Sequence, residues 1–429
     1  MKKIFGVAAA LLLSTAIAAG SLWAQEFKLD GYLNSGLGVA ADNGDTDVYL
    51  KAFGVDGESN GYRFRLNGSY TSESKNIGIR LRLQSQRNLT ASGYLSIPFA
   101  YGWVSFFNNA INVTGGIVDD VTWTTADWWW NDDQGEGLGL LLKSDPVKGL
   151  NLGIGAYTIS QQTGGNNNIL SIGGTLPNFQ NVITKFKDTK YTFNAAYTLT
   201  DVFRLAASYR TKNRTAWTTG YTFEDNYAYG GWNEPSQFIG EFRLLAVKDL
   251  TLVAVGILDN LEDFGNKGNT VISETFAYKL NDLNLGLNAA QFLYKRDDVE
   301  ADPALLFNLW GSYAINKVVP RLDLVYFKGG QSKTVTAVKQ WERRGFAAQG
   351  GQPGAITANY GRKGTDDDYS VFSARPSVRI NLDNRTFLEI GDMMNYDFGN
   401  YEGAYKTNDD SGKKSRFTNV FYVDVKWSF

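Results

Sequence analysis

The sequence predicts an all-β fold: a closed antiparallel transmembrane β-barrel of about 18 strands, preceded by a cleaved signal peptide. Three observations predict it. Apolar and polar residues alternate with a period of two along most of the chain, no apolar run beyond residue 24 is long enough for a membrane-spanning helix, and short connections alternate with long ones. Two assignments are open, since the strand at 111–119 is short and residues 48–55, placed in the first loop, could pair. A barrel of about 16 strands is therefore the alternative.

Residues 1–24 have the pattern of a secretory signal peptide. A pair of lysines precedes an unbroken run of apolar or small residues at 4–20, and Ala24 offers a small residue for cleavage. The run is short for a spanning helix, which needs ~20 apolar residues, and no cysteine follows that could carry a lipid anchor. We therefore expect an exported chain in which residues 25–429 form the barrel.

The composition excludes most classes of enzyme. Of the 429 residues, 43% are hydrophobic, 14% are aromatic and 46 are glycine, but none is cysteine or histidine. Without those two residue types the chain can form no Ser/His/Asp or Cys/His triad, no disulfide, and no zinc or haem site on histidine or thiolate. A net charge of -2 gives no reason to expect nucleic acid as a partner. We expect no enzymatic activity, no cofactor and no metal site.

The final segment shows the alternation most clearly. Six of the seven odd positions from Phe417 to Phe429 are apolar, whereas only two of the seven even positions from Arg416 to Ser428 are. In hydrocarbon, a closed barrel is the only strand structure that satisfies every backbone polar group, and alternation of lipid-facing and water-facing residues is its mark. A soluble β-sandwich would also alternate, but it has no reason to sort its loops by length.

Short polar links, such as those at 200–201, 248–249 and 281–282, alternate with long connections. Barrels place the short links on the periplasmic side, so a count back from the carboxyl end puts both termini in the periplasm. In chain order the expected strands are 26–40, 60–72, 77–87, 97–108, 111–119, 137–145, 149–159, 187–199, 202–211, 236–247, 250–259, 271–280, 283–294, 304–315, 318–329, 369–380, 384–396 and 415–429.

With a signal peptide, a first strand at Phe27 and a last strand that ends in Phe429, the chain resembles the bacterial outer-membrane porin class. The resemblance implies the outer membrane of a diderm bacterium, with the lipid bilayer, lipopolysaccharide or other outer-leaflet lipid, and small hydrophilic solutes as partners. It also implies recognition by the barrel-assembly machinery, and it leaves a homotrimer open. The implied assembly signal consists of Phe421, Val423, Val425, Trp427 and Phe429.

A barrel of about 18 strands is too wide to be filled by its own inward side chains, so a water-filled lumen is expected. Parity turns Arg63 and Arg65 on the second strand, and Arg80 and Arg82 on the third, toward this lumen. Like charges that face each other across neighbouring strands are destabilising by roughly 0.2–1 kcal/mol per pair unless counter-charges oppose them. The loop at 119–136, which has six acidic residues and no basic one, is the expected source of counter-charge.

This arrangement is similar to that of the general porins, in which an inward third loop sets acids against a wall of arginines. The resemblance implies a pore constriction made of Arg63, Arg65, Arg80, Arg82, Asp127, Asp132, Asp133 and Glu136. The Pro-Glu-Phe-Gly-Gly signature of that loop is absent from this chain. Parity also turns a second set of charges inward, namely Arg204, Arg210, Arg243, Arg375, Arg379, Glu241, Asp323 and Asp424.

The same loop carries the four tryptophans Trp123, Trp128, Trp129 and Trp130. Their indole faces could stack on sugar rings beside the acids, as in sugar-binding pores, or they could belong to an interfacial belt or a loop core. Acidic segments at 42–47 and 366–368 could hold calcium, but neither fits the full calcium-binding loop. The sequence thus favours a passive diffusion channel, with a sugar-selective channel or a surface adhesin that uses the long loops as alternatives.

Overall fold

The structure is a computed structural model, and its outward and inward faces can be followed strand by strand. It describes residues 26–42, 49–53, 62–85, 95–97, 99–118, 138–157, 171–172, 190–211, 236–259, 261–267, 269–294, 304–328, 370–398 and 416–429. The predicted signal peptide, 1–24, lies outside these residues, so it stays a prediction. Among the described residues, no helix has the length and apolar character needed to cross a membrane.

The described residues form twenty-one strands and a short helical segment. The strands are β1 (Glu26–Asp42), β2 (Tyr49–Phe53), β3 (Tyr62–Thr71), β4 (Ile77–Ser85), β5 (Leu95–Ser96), β6 (Ala100–Phe106), β7 (Ile111–Ile117), β8 (Leu138–Val147), β9 (Leu150–Tyr157), β10 (Ser171–Ile172), β11 (Lys190–Leu199), β12 (Phe203–Arg210), β13 (Gln237–Leu244), β14 (Leu250–Asp259), β15 (Asn269–Leu280), β16 (Leu283–Tyr294), β17 (Ala304–Tyr313), β18 (Val318–Lys328), β19 (Ser370–Asn381), β20 (Thr386–Phe398) and β21 (Arg416–Ser428). A 3-10 turn at Leu261–Asp263 and an α-helix at Phe264–Lys267 come just before β15.

The strands close into one antiparallel ring. The last strand pairs with the first, from Tyr32 opposite Ser428 to Asp42 opposite Thr418. Strands β2 and β3 share one position in the wall, β5 and β6 share another, and β10 pairs only with β5, which leaves eighteen wall positions in the described part of the chain. The predicted closed barrel of about 18 strands is confirmed.

The pairing of β2 with β1 corrects one assignment made from the sequence. Residues 48–55 were expected in the first loop, but β2 pairs with the upper part of β1. Phe53 lies opposite Gly36 and Tyr62 lies opposite Ser35, so β2 and β3 meet neighbouring residues of β1. The reason is the length of β1, whose upper backbone groups need a partner that β3 is too short to supply.

Side chains alternate between two faces. On β4, Ile77 and Ile79 are 50% and 49% exposed, whereas Gly78 between them is buried. On β21, Phe421 and Val423 are exposed while Tyr422 is fully buried. The apolar exposed face is the lipid-facing surface of a membrane barrel, and the opposite face lines the interior. The period of two in the sequence therefore predicted both faces.

The periplasmic turns follow from local sequence. Asp201, Asp249, Asn281 and Asn316 have φ of 57°, 62°, 51° and 55°, in the left-handed region that Asn and Asp tolerate better than most residues. Each lies in a short polar link between two successive strands. These turns fix the pairing of successive strands, and so the register of the inward residues.

The seam of the barrel is closed by the final residue. Phe429 donates a backbone hydrogen bond to Gly31 (3.0 Å) and accepts one from it (3.1 Å). A Cβ atom at Gly31 would lie within 2.7 Å of the Phe429 ring, so the aromatic ring occupies the space that the glycine leaves. Phe429 thus binds the first strand through both its backbone and its side chain.

Candidate channel lining

Three of the predicted arginines lie together on the inward face of β3 and β4, and we call Arg65, Arg80 and Arg82 the arginine face. No two of them are direct neighbours across the strands, because neutral residues stand opposite each. Arg65 lies opposite Gln84 and donates to its Oε1 from Nε (3.2 Å) and Nη2 (3.1 Å). The register places an amide or a hydroxyl opposite each guanidinium, so the arginines of this pair of strands are offset from one another.

The other two arginines have similar neutral partners. Arg82 Nε donates to Asn67 Oδ1 (2.9 Å), and Arg80 Nη1 donates to the Tyr101 hydroxyl (3.1 Å). Asn67 in turn donates to Asp30 Oδ1 (2.6 Å). The Asp30 carboxylate is therefore linked to the Arg82 guanidinium through the Asn67 amide. Neutral partners position a cation without cancelling its charge.

Aromatic rings support the same cations. The guanidinium of Arg82 lies 4.6 Å from the centre of the buried Phe99 ring, and that of Arg80 lies 5.7 Å from it. The Tyr32 ring is 5.5 Å from the Arg65 guanidinium and 4.2 Å from Lys426 Nζ. Cation–π contacts stabilise a positive charge while leaving it positive. Because Arg80 is exposed and Arg65 and Arg82 are half-buried, the arginine face presents positive charge to the interior.

A second charged region lies on β18 to β21, and we call Arg321, Asp323, Arg375, Arg379 and Glu389 the ion network. Arg379 donates to Glu389 Oε2 from Nε (3.1 Å) and Nη2 (3.0 Å). Arg375 Nη2 donates to Asp323 Oδ2 (3.1 Å). Arg321 links the two pairs, with Nη2 at 3.9 Å from Asp323 Oδ2 and Nη1 at 3.7 Å from Glu389 Oε2. Cations and carboxylates therefore alternate through the network.

The centre of the ion network is buried, whereas Arg321 and Arg379 at its edge are half-buried. Arg375 and Glu389 have no exposed surface, and Asp323 is 3% exposed. The hydroxyl of the buried Tyr422 donates to Glu389 Oε1 (2.9 Å), so both oxygens of that carboxylate accept hydrogen bonds. Buried ions are costly unless they are paired, and here both buried carboxylates contact arginines.

Further inward charges occur on β12 and β13. Arg204 Nη1 lies 2.5 Å from Glu241 Oε1, and Glu241 is 4% exposed. Arg210, which has no exposed surface, donates from Nη2 to Gln237 Oε1 (2.5 Å). The parity of the sequence predicted the inward direction of all three charged residues.

The inward face of the wall from β14 to β17 is largely uncharged in the described residues. Val253, Val255 and Ile257 are buried there, and Asn288 Nδ2 donates to Asn308 Oδ1 (3.0 Å). The interior is therefore not uniform, since this stretch lies between the charges of β12 and β13 and the ion network that begins at β18.

Several predicted site residues lie wholly or partly outside the part of the chain that the structure describes. Arg63 lies in β3 opposite Asn34, but its side chain is outside the described part. The acidic and aromatic residues of the predicted constriction loop also lie outside the described residues, and they are Asp127, Asp132, Asp133, Glu136, Trp123, Trp128, Trp129 and Trp130. The inward loop near 119–136 therefore stays a prediction.

The structure adds lining residues that the sequence analysis missed. Asn67, Gln84 and Tyr101 hold the arginine face, and Arg321 completes the ion network. Arg321 has the same parity as Asp323, so the alternation alone could have found it. The amide and tyrosine partners depend on the register between strands, which the alternation does not give.

The predicted assembly signal lies on the outward face of β21. Phe421, Val423, Trp427 and Phe429 are 51%, 39%, 43% and 46% exposed, and Val425 is half-buried. Their placement agrees with the predicted parity. Recognition of these residues by an assembly machinery stays a prediction.

Comparisons with known proteins were made against families, curated proteins and solved structures. No protein-family model matches the chain, and no curated protein matches it. Among solved structures, the chain is similar to OpdL of Pseudomonas aeruginosa, with 9% identity, 94% of this chain and 99% of that chain covered, and a TM-score of 0.47. It is similar to OpdQ of the same organism, with 10% identity, coverage of 94% and 98%, and a TM-score of 0.48.

A further similar structure is the anion-selective porin from Comamonas acidovorans, with 13% identity, coverage of 95% and 100%, and a TM-score of 0.43. The fold of the present chain is read from its own strand pairing and faces rather than from these similarities. A closed ring of strands with an apolar outer face and a polar inner face satisfies the backbone in hydrocarbon and belongs in an outer membrane. The chain is an outer-membrane β-barrel, and the solved structures that it resembles are porins.

Proposed function

We propose that the barrel is a passive channel for small hydrophilic solutes and ions across the outer membrane. The observation that carries the proposal is a closed ring of eighteen wall positions whose inward face is polar and charged. Barrels of 16–18 strands are too wide to be filled by inward side chains, so they leave an aqueous path. Without histidine or cysteine the chain lacks the most frequent general base and the thiol nucleophile, which supports transport rather than catalysis.

The distribution of charge supports a preference for anions. The arginine face is exposed or half-buried and donates hydrogen bonds to Gln84, Asn67 and Tyr101, whereas carboxylates of the ion network are buried against arginines. On β3 and β4 the charged side chains that the structure describes are therefore all accessible cations. A lining of this kind selects ions by sign because the field acts at short range in a narrow aqueous path.

Planar-bilayer recording tests the proposal. We expect stepwise increases of conductance when the purified barrel inserts, and a reversal potential in a KCl gradient that indicates anion preference. Insertion without conductance steps would contradict the channel itself. Steps with cation preference would leave the channel standing but contradict the role given to the arginine face.

Sugar selectivity through the tryptophan loop is a second candidate, and it rests on the four tryptophans beside acidic residues in the sequence. Stacking on indole faces predicts that oligosaccharides block the current in a saturable way. Replacement of Trp129 by alanine is expected to weaken this block and to leave the conductance in KCl unchanged. Block of equal strength in both proteins would exclude Trp129 as a stacking residue.

A further inference from the structure

Three inward polar residues on β11 and β13 have side-chain atoms without a hydrogen-bond partner. We call Thr192, Asn194 and Gln237 the amide patch. Thr192 and Gln237 have no exposed surface, and Asn194 is 5% exposed. Thr192 Oγ1, Gln237 Nε2 and both amide atoms of Asn194 are buried without a hydrogen-bond partner. Buried polar groups are nearly always hydrogen-bonded, so four such atoms in one place require an explanation.

The three residues are close together in the wall. Thr192 lies opposite Arg210, and Arg210 lies opposite Gln237, so these residues form one row across β11, β12 and β13. Asn194 is the next inward residue of β11, directly below this row. Strand spacing and rise give the patch a size of about 10 Å by 7 Å, which suits a ligand as large as a single sugar ring.

Arg210 fixes the direction of the Gln237 amide. Its Nη2 donates to Gln237 Oε1, and a guanidinium can only donate, so the oxygen and nitrogen of this amide are unambiguous. The Gln237 nitrogen is thus the group left to donate. With the nitrogen of Asn194 it supplies donors, while Asn194 Oδ1 and Thr192 Oγ1 supply acceptors.

The neighbouring strand β9 brings an aromatic ring to the edge of the patch. Gly155 of β9 lies opposite Thr192, and a Cβ atom there would collide with Thr192 Oγ1 and with the ring and hydroxyl of Tyr157. The absence of a side chain at Gly155 therefore allows the Tyr157 ring and the Thr192 hydroxyl to approach each other. An aromatic ring beside amide and hydroxyl groups is a combination that suits a sugar, which has both apolar faces and hydroxyl edges.

Another pair of amides in the same interior provides a contrast. Asn288 and Asn308 are also inward and buried, but Asn288 Nδ2 donates to Asn308 Oδ1 and Asn308 donates to the carbonyl of Leu324. The wall is therefore able to pair its buried amides with one another. In the amide patch the corresponding bonds are not made within the protein.

We propose that the amide patch is a binding site for a neutral hydroxylated solute, a sugar or a polyol. Each hydroxyl of such a solute both donates and accepts, which matches neighbouring amide nitrogens, an amide oxygen and a hydroxyl. The patch lies where β11 and β13 begin and β12 ends, on the side of the long connections. The inference adds a class of solute to the proposed channel.

Equilibrium binding to the full-length mature barrel in detergent micelles tests the site without relying on conductance. Radiolabelled glucose and sorbitol are the neutral probes, and gluconate is the charged one. We expect saturable binding of the neutral probes, weakened about tenfold in Asn194→Ala because the removed amide makes hydrogen bonds in a buried site. Asn288→Ala, the matched control with the same truncation elsewhere in the wall, is expected to bind within about twofold of the unchanged protein.

Gly155→Ala provides a second variant that leaves every polar group in place. The added methyl displaces Tyr157 or Thr192, so binding is expected to weaken while the heat-modifiable mobility of the folded barrel is kept. Absence of glucose and sorbitol binding, or equal weakening in Asn194→Ala and Asn288→Ala, would overturn the site and leave ordered water as its occupant. Binding of gluconate alone would overturn the assignment to neutral solutes. Binding without conductance would instead overturn the proposed channel and leave the site standing.

Discussion

The arginine face and the ion network both point inward, but they differ in partners and in burial. Guanidiniums on β3 and β4 donate to amides and a hydroxyl and lie near aromatic rings, and Arg80 among them is exposed. Those on β18 to β21 contact carboxylates, and Arg375 has no exposed surface. Parity alone gives both sets the same direction, so inward direction does not decide what a charged residue does.

The difference separates two uses of charge. An accessible cation that is bonded to neutral groups keeps its charge, and its field acts on the ions and solutes that pass through the channel. Paired ions cancel each other's field at a distance, and their removal from water is costly unless every group is bonded. We therefore expect changes in the ion network to alter stability, and changes in the arginine face to alter ion selectivity.

Glu389→Gln should have the largest effect on stability. Glu389, which is fully buried, accepts from Arg379 and Tyr422 and lies near Arg321, so its neutralisation removes a buried counter-charge from two half-buried cations. We expect a loss of about 3–5 kcal/mol in the free energy of unfolding, measured by urea titration in lipid vesicles. Glu26→Gln, which breaks the exposed pair with Lys28, is the control and should leave the unfolding midpoint unchanged. Similar midpoints for both variants would mean that the ion network is not structural.

Gly31→Ala should have the next largest effect, because it acts at the seam that joins the two charged regions. The new methyl group would meet the Arg65 carbonyl oxygen and the Phe429 ring. We expect a loss of about 1–3 kcal/mol, with a lower yield of closed barrel on refolding. Gly68→Ala is the matched control, since no atom lies within 4 Å of the added group. A Gly31→Ala protein as stable as the control would remove the proposed importance of the Phe429 contact.

Arg80→Gln should change selectivity and leave stability nearly unchanged. Removal of one exposed positive charge from the interior is expected to reduce the anion-to-cation permeability ratio about two- to fivefold, measured from reversal potentials in KCl gradients. The unfolding free energy should stay within about 0.5 kcal/mol. Lys148→Gln removes the same charge from an exposed periplasmic turn and should have little effect on the ratio. An equal change in both would show that net charge, not the arginine face, governs selectivity.

Asp383→Ala should have the smallest effect, at the turn between the two network strands β19 and β20. Hydrogen bonds donated by the backbone N–H groups of Arg385 and Thr386 hold the pKa of this exposed carboxyl below its ordinary value. A lowered pKa in the folded state gives stability that is present above the unfolded pKa, ~3.9, and is lost as the pH falls through the folded value. The unfolding midpoints of the two proteins should therefore differ slightly at pH 7 and converge in acid. A difference that grows on acidification would contradict this account.

Much of the barrel could be predicted because alternation is a local property. The final strand, the short turns at Asp201 and Asn281 and the inward direction of Asp323 all follow from neighbouring residues in the sequence. Strand β2 was missed because its pairing depends on how far β1 extends beyond β3. Extension of this kind is set by the whole ring and not by any single segment.

The candidate site was harder to predict than the fold. Parity identifies Arg379 as inward, but it does not give Glu389 as its partner, because their contact depends on the register of β19 and β20. The neutral partners of the arginine face, such as Gln84, carry no charge signal in the sequence. Unpaired amides such as Asn194 are recognised only when every neighbouring donor and acceptor has been placed.

The contact between Phe429 and Gly31 has a consequence for how the chain folds. Its two partners lie in the first and last strands of the ring, so the ring cannot close before both strands have formed. Contacts between such distant residues slow folding, since the loop-closure entropy is lost before the contact is gained. We therefore expect a folding intermediate that is still open and exposes apolar strand faces, a state that is prone to aggregation.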